Sequence, residues 1–304
     1  LFRATPLILT GLSVAVAFKT GLFNIGAPGQ YLMGTAATLI LALSIPTETV
    51  PAPLVWVIAF VGGSLAGAVW GCIPGLLKAF LNINEVLACI MTNWIAANLV
   101  TWLFDKGSLF ESLQNHVENT KTAYIYKTSF NGVETAKLGL DKLFPNSQVN
   151  GGILIAIGIA ILIYILMNKT TLGYELKACG YNRNASIYAG INAKRNIILS
   201  TVIAGGLSGI GGGIYYLSGT AQYTLVKTLL PMGFNGIPTA LLASSHPLGT
   251  IFSAIFISYI QVGGDAMQPE FVKEIIDIII AAIIYLSAFA LLVQGGIAHL
   301  LSRK

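Results

Sequence analysis

Apolar runs approaching or exceeding the length of a membrane crossing recur along this chain, at about 7–18, 30–45, 53–77, 86–104, 152–168, 197–218, 236–245, 248–262 and 275–295. A hydrocarbon core of about 30 Å takes about 20 apolar residues per helical crossing. Inside it, every backbone N–H and C=O has to be satisfied by the protein. Runs of this kind, repeated, predict an all-α, polytopic membrane protein of about 8–10 membrane segments. The charge content agrees, since only 10% of the 304 residues are charged, whereas a soluble domain carries about 25%. The whole of 1–304 reads as one transmembrane domain.

Several of these runs fall short of a straight crossing, above all the first and the pair flanking His246. Short segments interrupted by Gly or Pro are how discontinuous membrane helices look. Such irregular backbone survives at membrane depth only when protein covers it or it lines a wet cavity.

One polar, cationic island stands out: TTLGYELKACGYNRNASIYAGINAKRN, residues 170–196, lodged between the apolar runs 151–167 and 197–217. Placed in the cytoplasm, with each segment crossing once, it brings nine of the seventeen basic residues inside: Lys19, Lys78, Lys169, Lys177, Arg183, Lys194, Arg195, Arg303 and Lys304. That is the positive-inside pattern. The net charge of +5 is therefore assigned to retention of cytoplasmic loops and not to nucleic-acid binding. The same parity places Leu1 outside, so a further inside-to-outside helix is expected ahead of it. It also places 105–150 outside, where five lysines are balanced by five acidic residues. That loop reads either as a partly helical cap that docks an external partner or as a solvated linker.

Packing signals are two glycine ladders at intervals of four, Gly63, Gly67, Gly71 and Gly75 in one run and Gly205, Gly209 and Gly213 in another. Glycine ladders let helix backbones approach closely in lipid; a hinge or solute-facing groove is the other use. The cysteines Cys72, Cys89 and Cys179 lack any paired spacing and read as packing residues.

Chemistry is sparse. His116, His246 and His299 are scattered, no HExxH or paired intramembrane carboxylate occurs, and no GxxxxGK[ST] loop is present to hold ATP. Glu85 and Asp277 are the acidic residues nearest the spans, and Glu85 suits the start of a helix, where its charge favours the dipole. An ion relay at membrane depth is thus not supplied. Neutral amides are better represented: Asn24 and Gln30 in LFNIGAPGQYLMG, Asn93 and Asn98 after Glu85, and Phe234–Asn235 before His246. As a set they could bond a hydroxylated or heterocyclic solute in passing; individually, each could instead glue helices together.

Four motifs in order, LFNIGAPGQYLMGT, NINEV…IMTNWIAANL, TLGYELKACGYNRNASIYAGI and GFNGIPTALLASSHPLGTIFSA, resemble the permease subunits of ribose- and nucleoside-class ABC importers of the basic-membrane-lipoprotein type. The first motif resembles the larger of two paired permeases. The resemblance implies a second permease in a heterodimer, a cytoplasmic ATPase holding ATP and Mg, an extracytoplasmic binding lipoprotein, and a nucleoside as solute. No cofactor is implied for this chain, and no catalysis. Ribose or another simple sugar is the neighbouring possibility, and a self-contained carrier or channel the one from a different class.

The resemblance further implies that the island carries a coupling helix. Against a family pattern of L-R-A-x-G-x-N-P-x-A-A-x-Y-A-G-I, this chain has Lys177, Ala178, Gly180, Asn182, Ala185, Tyr188, Ala189, Gly190 and Ile191 in register. Arg183 replaces the proline and Ser186 an alanine. Later, Pro238–Thr239 stands for Ala-Val, and Ser244 or Ser245 for a glycine. From the residues alone, 184–189 is a short amphipathic helix capped by Asn182 or Asn184 and stopped by Gly190. Such a helix could also rest on lipid headgroups.

Overall fold

The computed structural model describes residues 1–116, 123–125, 133–144 and 147–268, with 275, 278–283, 285, 286 and 289 beyond them. Asp277, His299 and the end of the run 275–295 lie outside the described residues. The fold is all-α, with α1 (Ala4–Lys19), α2 (Ala27–Ser44), α3 (Ala52–Leu81), α4 (Glu85–Phe104), α5 (Leu140–Leu143), α6 (Gly152–Lys169), α7 (Thr171–Tyr181), α8 (Arg183–Tyr188), α9 (Ala193–Tyr216), α10 (Pro231–Phe234), α11 (Gly236–Leu242) and α12 (Gly249–Ala266). Among the described residues, four helices are long and apolar enough to cross a membrane: α3, α4, α6 and α9.

Helix α1 is the axis of the bundle. Every residue from Ala4 to Ala17 is buried, as expected of a helix that is apolar all round. Its 16 residues reach only about 24 Å at 1.5 Å per residue, so it cannot cross alone. Thr20–Gly26 then breaks the path, and α2 starts with Pro28 in its first turn, where a missing N–H costs nothing. Around this centre, α3, α6 and α12 turn apolar side chains such as Leu65, Val69, Leu162 and Phe252 outward, the surface a lipid-facing shell requires.

The two glycine ladders face each other. A Cβ on Gly67 would run into the Gly205 carbonyl, one on Gly71 into the Thr201 carbonyl, and one on Gly209 into the Gly63 carbonyl. Gly34 of α2 joins the seam against Gly209, and Gly213 sits against Thr38. Three backbones thus meet with nothing between them, the geometry through which lipid-embedded helices gain dispersion contacts.

The run 231–266 is discontinuous. Pro238 has no N–H to offer the Phe234 carbonyl, so the helix divides at Asn235 into α10 and α11. Gly236 lies against Thr10, near the middle of α1, and Gly11 lies against Thr239 of α11 and Thr250 of α12. Ser244 and Ser245 reverse the chain in left-handed conformation, with φ of 49° and 54°, at the position where the resemblance expects glycine. Helix α12 then returns to the face on which α1 begins, where Arg3 and Asp265 form an ion pair.

The segment 105–150 holds short elements of both kinds. A 3-10 turn at Glu111–Leu113 and α5 are its helical parts; β1 (Gln114–His116) and β2 (Ala123–Ile125) pair antiparallel, and β2 pairs antiparallel with β3 (Tyr223–Thr224), with Tyr124 opposite Thr224. Runs of two or three residues leave no readable alternation, which is why the sheet escapes the sequence. The segment is tied down at its end: the Thr135 N–H donates to the Leu217 carbonyl at 2.8 Å, and the Trp56 indole N–H to Thr135 Oγ1 at 3.1 Å.

Candidate functional site

The polar island folds as two helices, each started by its own side-chain cap. Thr170 Oγ1 accepts from the Gly173 N–H at 3.2 Å, Asn182 Oδ1 from the Ala185 N–H at 3.0 Å, and Asn192 Oδ1, at the head of α9, from the Arg195 N–H at 3.0 Å. These caps satisfy donors that a helix start leaves free. Arg183 is the first residue of α8, the position that tolerates proline because its N–H has no helical partner; arginine there leaves the helix intact. Helix α8 runs Arg183–Tyr188, one residue earlier at each end than the spacing predicts. It ends in a Schellman closure, with the Ile191 N–H on the Ser186 carbonyl and the Gly190 N–H on the Ile187 carbonyl, both at 3.0 Å. Gly190 supplies the required left-handed residue at φ 81°.

Both helices are fastened to the bundle. Gly173 abuts the backbone of Met167 in α6, and Gly180 abuts the Lys19 carbonyl and Gly21 at the end of α1. Leu176 and Cys179 are buried, and Asn196 of α9 donates to Glu175 Oε2 at 3.1 Å. Lys177 Nζ donates to Asn168 Oδ1 at 3.2 Å. Ser186, the residue in place of a common alanine, turns its hydroxyl back to the Asn182 carbonyl at 2.8 Å. What remains outward is a groove of about 500 Å³ between α7 and α8, floored by Ala178, Ala185 and Ala189. Tyr174 and Tyr181 form part of its wall, Tyr188 stands nearby, and Tyr181 and Tyr188 are 90% and 94% exposed. Tyr174 and Tyr181, seven residues apart, share the outer face of α7 opposite buried Leu176; that two-turn spacing of aromatics is the sequence signal for them.

The amides at depth divide into two kinds. Asn24 Nδ2 donates to Ser13 Oγ at 3.0 Å and to Gln30 Oε1 at 2.9 Å, while Gln30 Nε2 donates back to Asn24 Oδ1 at 3.1 Å and Ser208 Oγ donates to Ser13 Oγ at 2.9 Å. Asn93 clasps the break before α2, accepting from the Gly29 N–H and donating to the Ile25 carbonyl, both at 2.9 Å. Asn24, Gln30 and Asn93 are buried, so their hydrogen bonds are spent within the protein and not turned to a passing solute. The break frees backbone groups that need partners inside the protein, and Asn93 satisfies two of them, while Asn24 bonds Gln30 and Ser13. Asn98 is the other kind: exposed on α4, it donates only to the Trp94 carbonyl of its own helix, at 2.8 Å. Phe234 is exposed, and Asn235 is partly covered at the α10–α11 break. Ser13 and Ser208 join the network unannounced, single hydroxyls inside apolar runs. Glu85 does open α4, where it pairs with Lys78 at 2.8 Å. Among the described residues no group of His, Cys, Asp and Glu could hold a metal ion.

The class of molecule is now defined: a multi-pass helical membrane protein with broken helices at its centre and an exposed groove between α7 and α8 in its cationic segment. Residues 1–288 match the family described as the permease component of branched-chain amino acid transport systems, and the chain belongs to it. It is 37% identical over 294 residues to a nucleoside ABC transporter permease, NupB of Lactococcus lactis, spanning 95% of this chain and 78% of that one. It is 35% identical over 288 residues to the guanosine ABC transporter permease NupP of Bacillus subtilis, spanning 93% and 78%. A glucose ABC transporter permease, TsgB13 of Haloferax volcanii, is 28% identical over 303 residues, spanning 98% and 78%. No solved structure matches. The chain is thus an ABC transporter permease of the bacterial cell membrane, in a class that works with paired permeases and an ATPase.

Proposed function

We propose that the chain is the non-catalytic membrane subunit of an importer for nucleosides, driven by ATP and Mg held in a separate ATPase and supplied by an extracytoplasmic binding lipoprotein. A second, different permease completes the pathway. The observation that carries the coupling half of this reading is the α7–α8 groove, with Tyr181 and Tyr188 standing exposed beside a floor of alanines. Exposed aromatics around a small-residue groove are what a protein partner buries; a helix resting on headgroups needs no such concavity. The nucleoside half rests on likeness to permeases named for nucleosides and for guanosine.

The contacts suggest how a push on α8 would travel. Helix α7 touches the end of α1 through Gly180, α6 through Gly173 and α9 through Asn196. Helix α9 is locked to α3 along the glycine seam, so these move together, while α1 carries Ser13 into the amide network at the break before α2. Because Ser13 also bonds Ser208 of α9, a push on α8 would reach both the amide network and the glycine seam. Replacing Gly190 and Tyr188 in the reconstituted complex, and measuring solute-stimulated ATP turnover, tests the docking role: coupling should collapse, and unchanged coupling in an intact complex would overturn it.

A further inference from the structure

Helix α4 has one face that the fold leaves uncovered, and that face is not built like a lipid-facing one. Its inner face is small and packed, through Ala88, Asn93, Ala96 and Ala97. Its outer face carries Trp94, Asn98 and Trp102 at successive intervals of four, on a shallow, open patch that Met91, Ile95 and Leu99 of the same helix complete. From the rise of 1.5 Å per residue, Trp94 lies about 14 Å and Asn98 about 20 Å above the cytoplasmic start of α4. Trp94 is therefore well below the interfacial belt where membrane tryptophans collect. Both indoles are more than half exposed. Trp56 and Trp70 give their N–H groups to Thr135 and to the Thr92 carbonyl, whereas among the described residues the N–H groups of Trp94 and Trp102 have no acceptor. Asn98 keeps its Oδ1 and one N–H free. Three unsatisfied polar groups in a row on an otherwise apolar helix are costly against hydrocarbon and useful against a solute.

Resting on the nucleoside reading, we infer that this face is a track for the nucleobase: the flat heterocycle stacks on Trp102 and then on Trp94, with Asn98 bonding its edge at both stations. A free amide offers one donor and one acceptor side by side, the pair that the C=O/N–H edges of uracil and guanine complement. Base–aromatic stacking tolerates any base and holds each weakly. With the two indoles about 12 Å apart along the helix, one base cannot occupy both at once, so the solute is handed from one ring to the next. Weak, repeated sites are what conduction through a membrane requires.

The test uses the full complex in proteoliposomes, with its binding protein outside and labelled uridine or guanosine as solute. Uptake should fall about tenfold in Trp94→Leu and in Asn98→Leu, as loss of one stacking or edge contact predicts, and Trp94→Phe should retain most of it. Size-exclusion chromatography with the second permease and the ATPase should show each variant still assembled. Unchanged uptake in the leucine variants overturns the track and leaves the face to lipid; loss of assembly overturns it in favour of a subunit interface. A wild-type complex that takes up neither nucleoside refutes the underlying reading instead, so the two failures are distinguishable.

Discussion

Replacing Asn93 by leucine removes a buried clasp while keeping the same branched side-chain shape. The Asn93 amide satisfies the Gly29 N–H and the Ile25 carbonyl, both at 2.9 Å, at a break where neither group has a helical partner. Each buried backbone group left unmade costs about 1–3 kcal/mol, so the pair is worth about 2–6 kcal/mol, and burying a leucine in place of the amide offsets about 1–2. The expected net loss is therefore about 0–5 kcal/mol, centred on about 2.5 and so well above the ~0.6 kcal/mol that an average intramembrane side-chain hydrogen bond contributes. The measurement is reversible unfolding in detergent, with Asn98→Leu as the internal control. Asn98 donates only to a carbonyl of its own helix, and its loss should leave stability within about 0.5 kcal/mol of wild type. A cost for Asn93→Leu no larger than that for Asn98→Leu would refute the clasp, because it would mean that water already reaches the break.

Further outcomes follow from single contacts. Gly67→Leu should abolish a folded, extractable protein, since its Cβ alone would collide with the Gly205 carbonyl and overpacking costs about 1–3 kcal/mol even where relaxation is possible; normal expression and melting would argue against the glycine seam. Ser244→Gly should raise stability by about 1 kcal/mol by relieving a left-handed serine at φ 49°, read as a higher melting temperature. Lys78→Ala should cost more than about 1 kcal/mol, because the ion pair with Glu85 is only about one-fifth exposed at both ends and its loss leaves a largely buried carboxylate without its partner; a smaller loss would mean that the α3–α4 turn is held by Asn84, whose Oδ1 accepts from the Val86 N–H at 2.9 Å, and not by charge.

The coupling segment was legible almost residue by residue, because caps and stops are local: Asn182, Gly190 and the short helix between them depend on neighbours within a few positions. The amides were harder. Asn24, Gln30, Asn93 and Asn98 look alike along the chain, all polar residues among apolar ones. Only burial separates the three whose bonds stay within the protein at the break before α2 from the one that faces outward, and burial depends on partners as far apart in sequence as Gly29 and Asn93, 64 positions.

By itself, then, the sequence determined the solvent this protein folds in, its helical class and the caps of the short helices between Thr170 and Asn192. Each of these follows from hydropathy, charge or spacing over a few turns. Tertiary structure alone decided that the first apolar run is the buried axis, that the two glycine ladders are halves of one seam, and that strands from 105–150 pair with Tyr223–Thr224. Those facts are pairings between distant segments, and they depend on which backbone groups hydrocarbon leaves without any other partner.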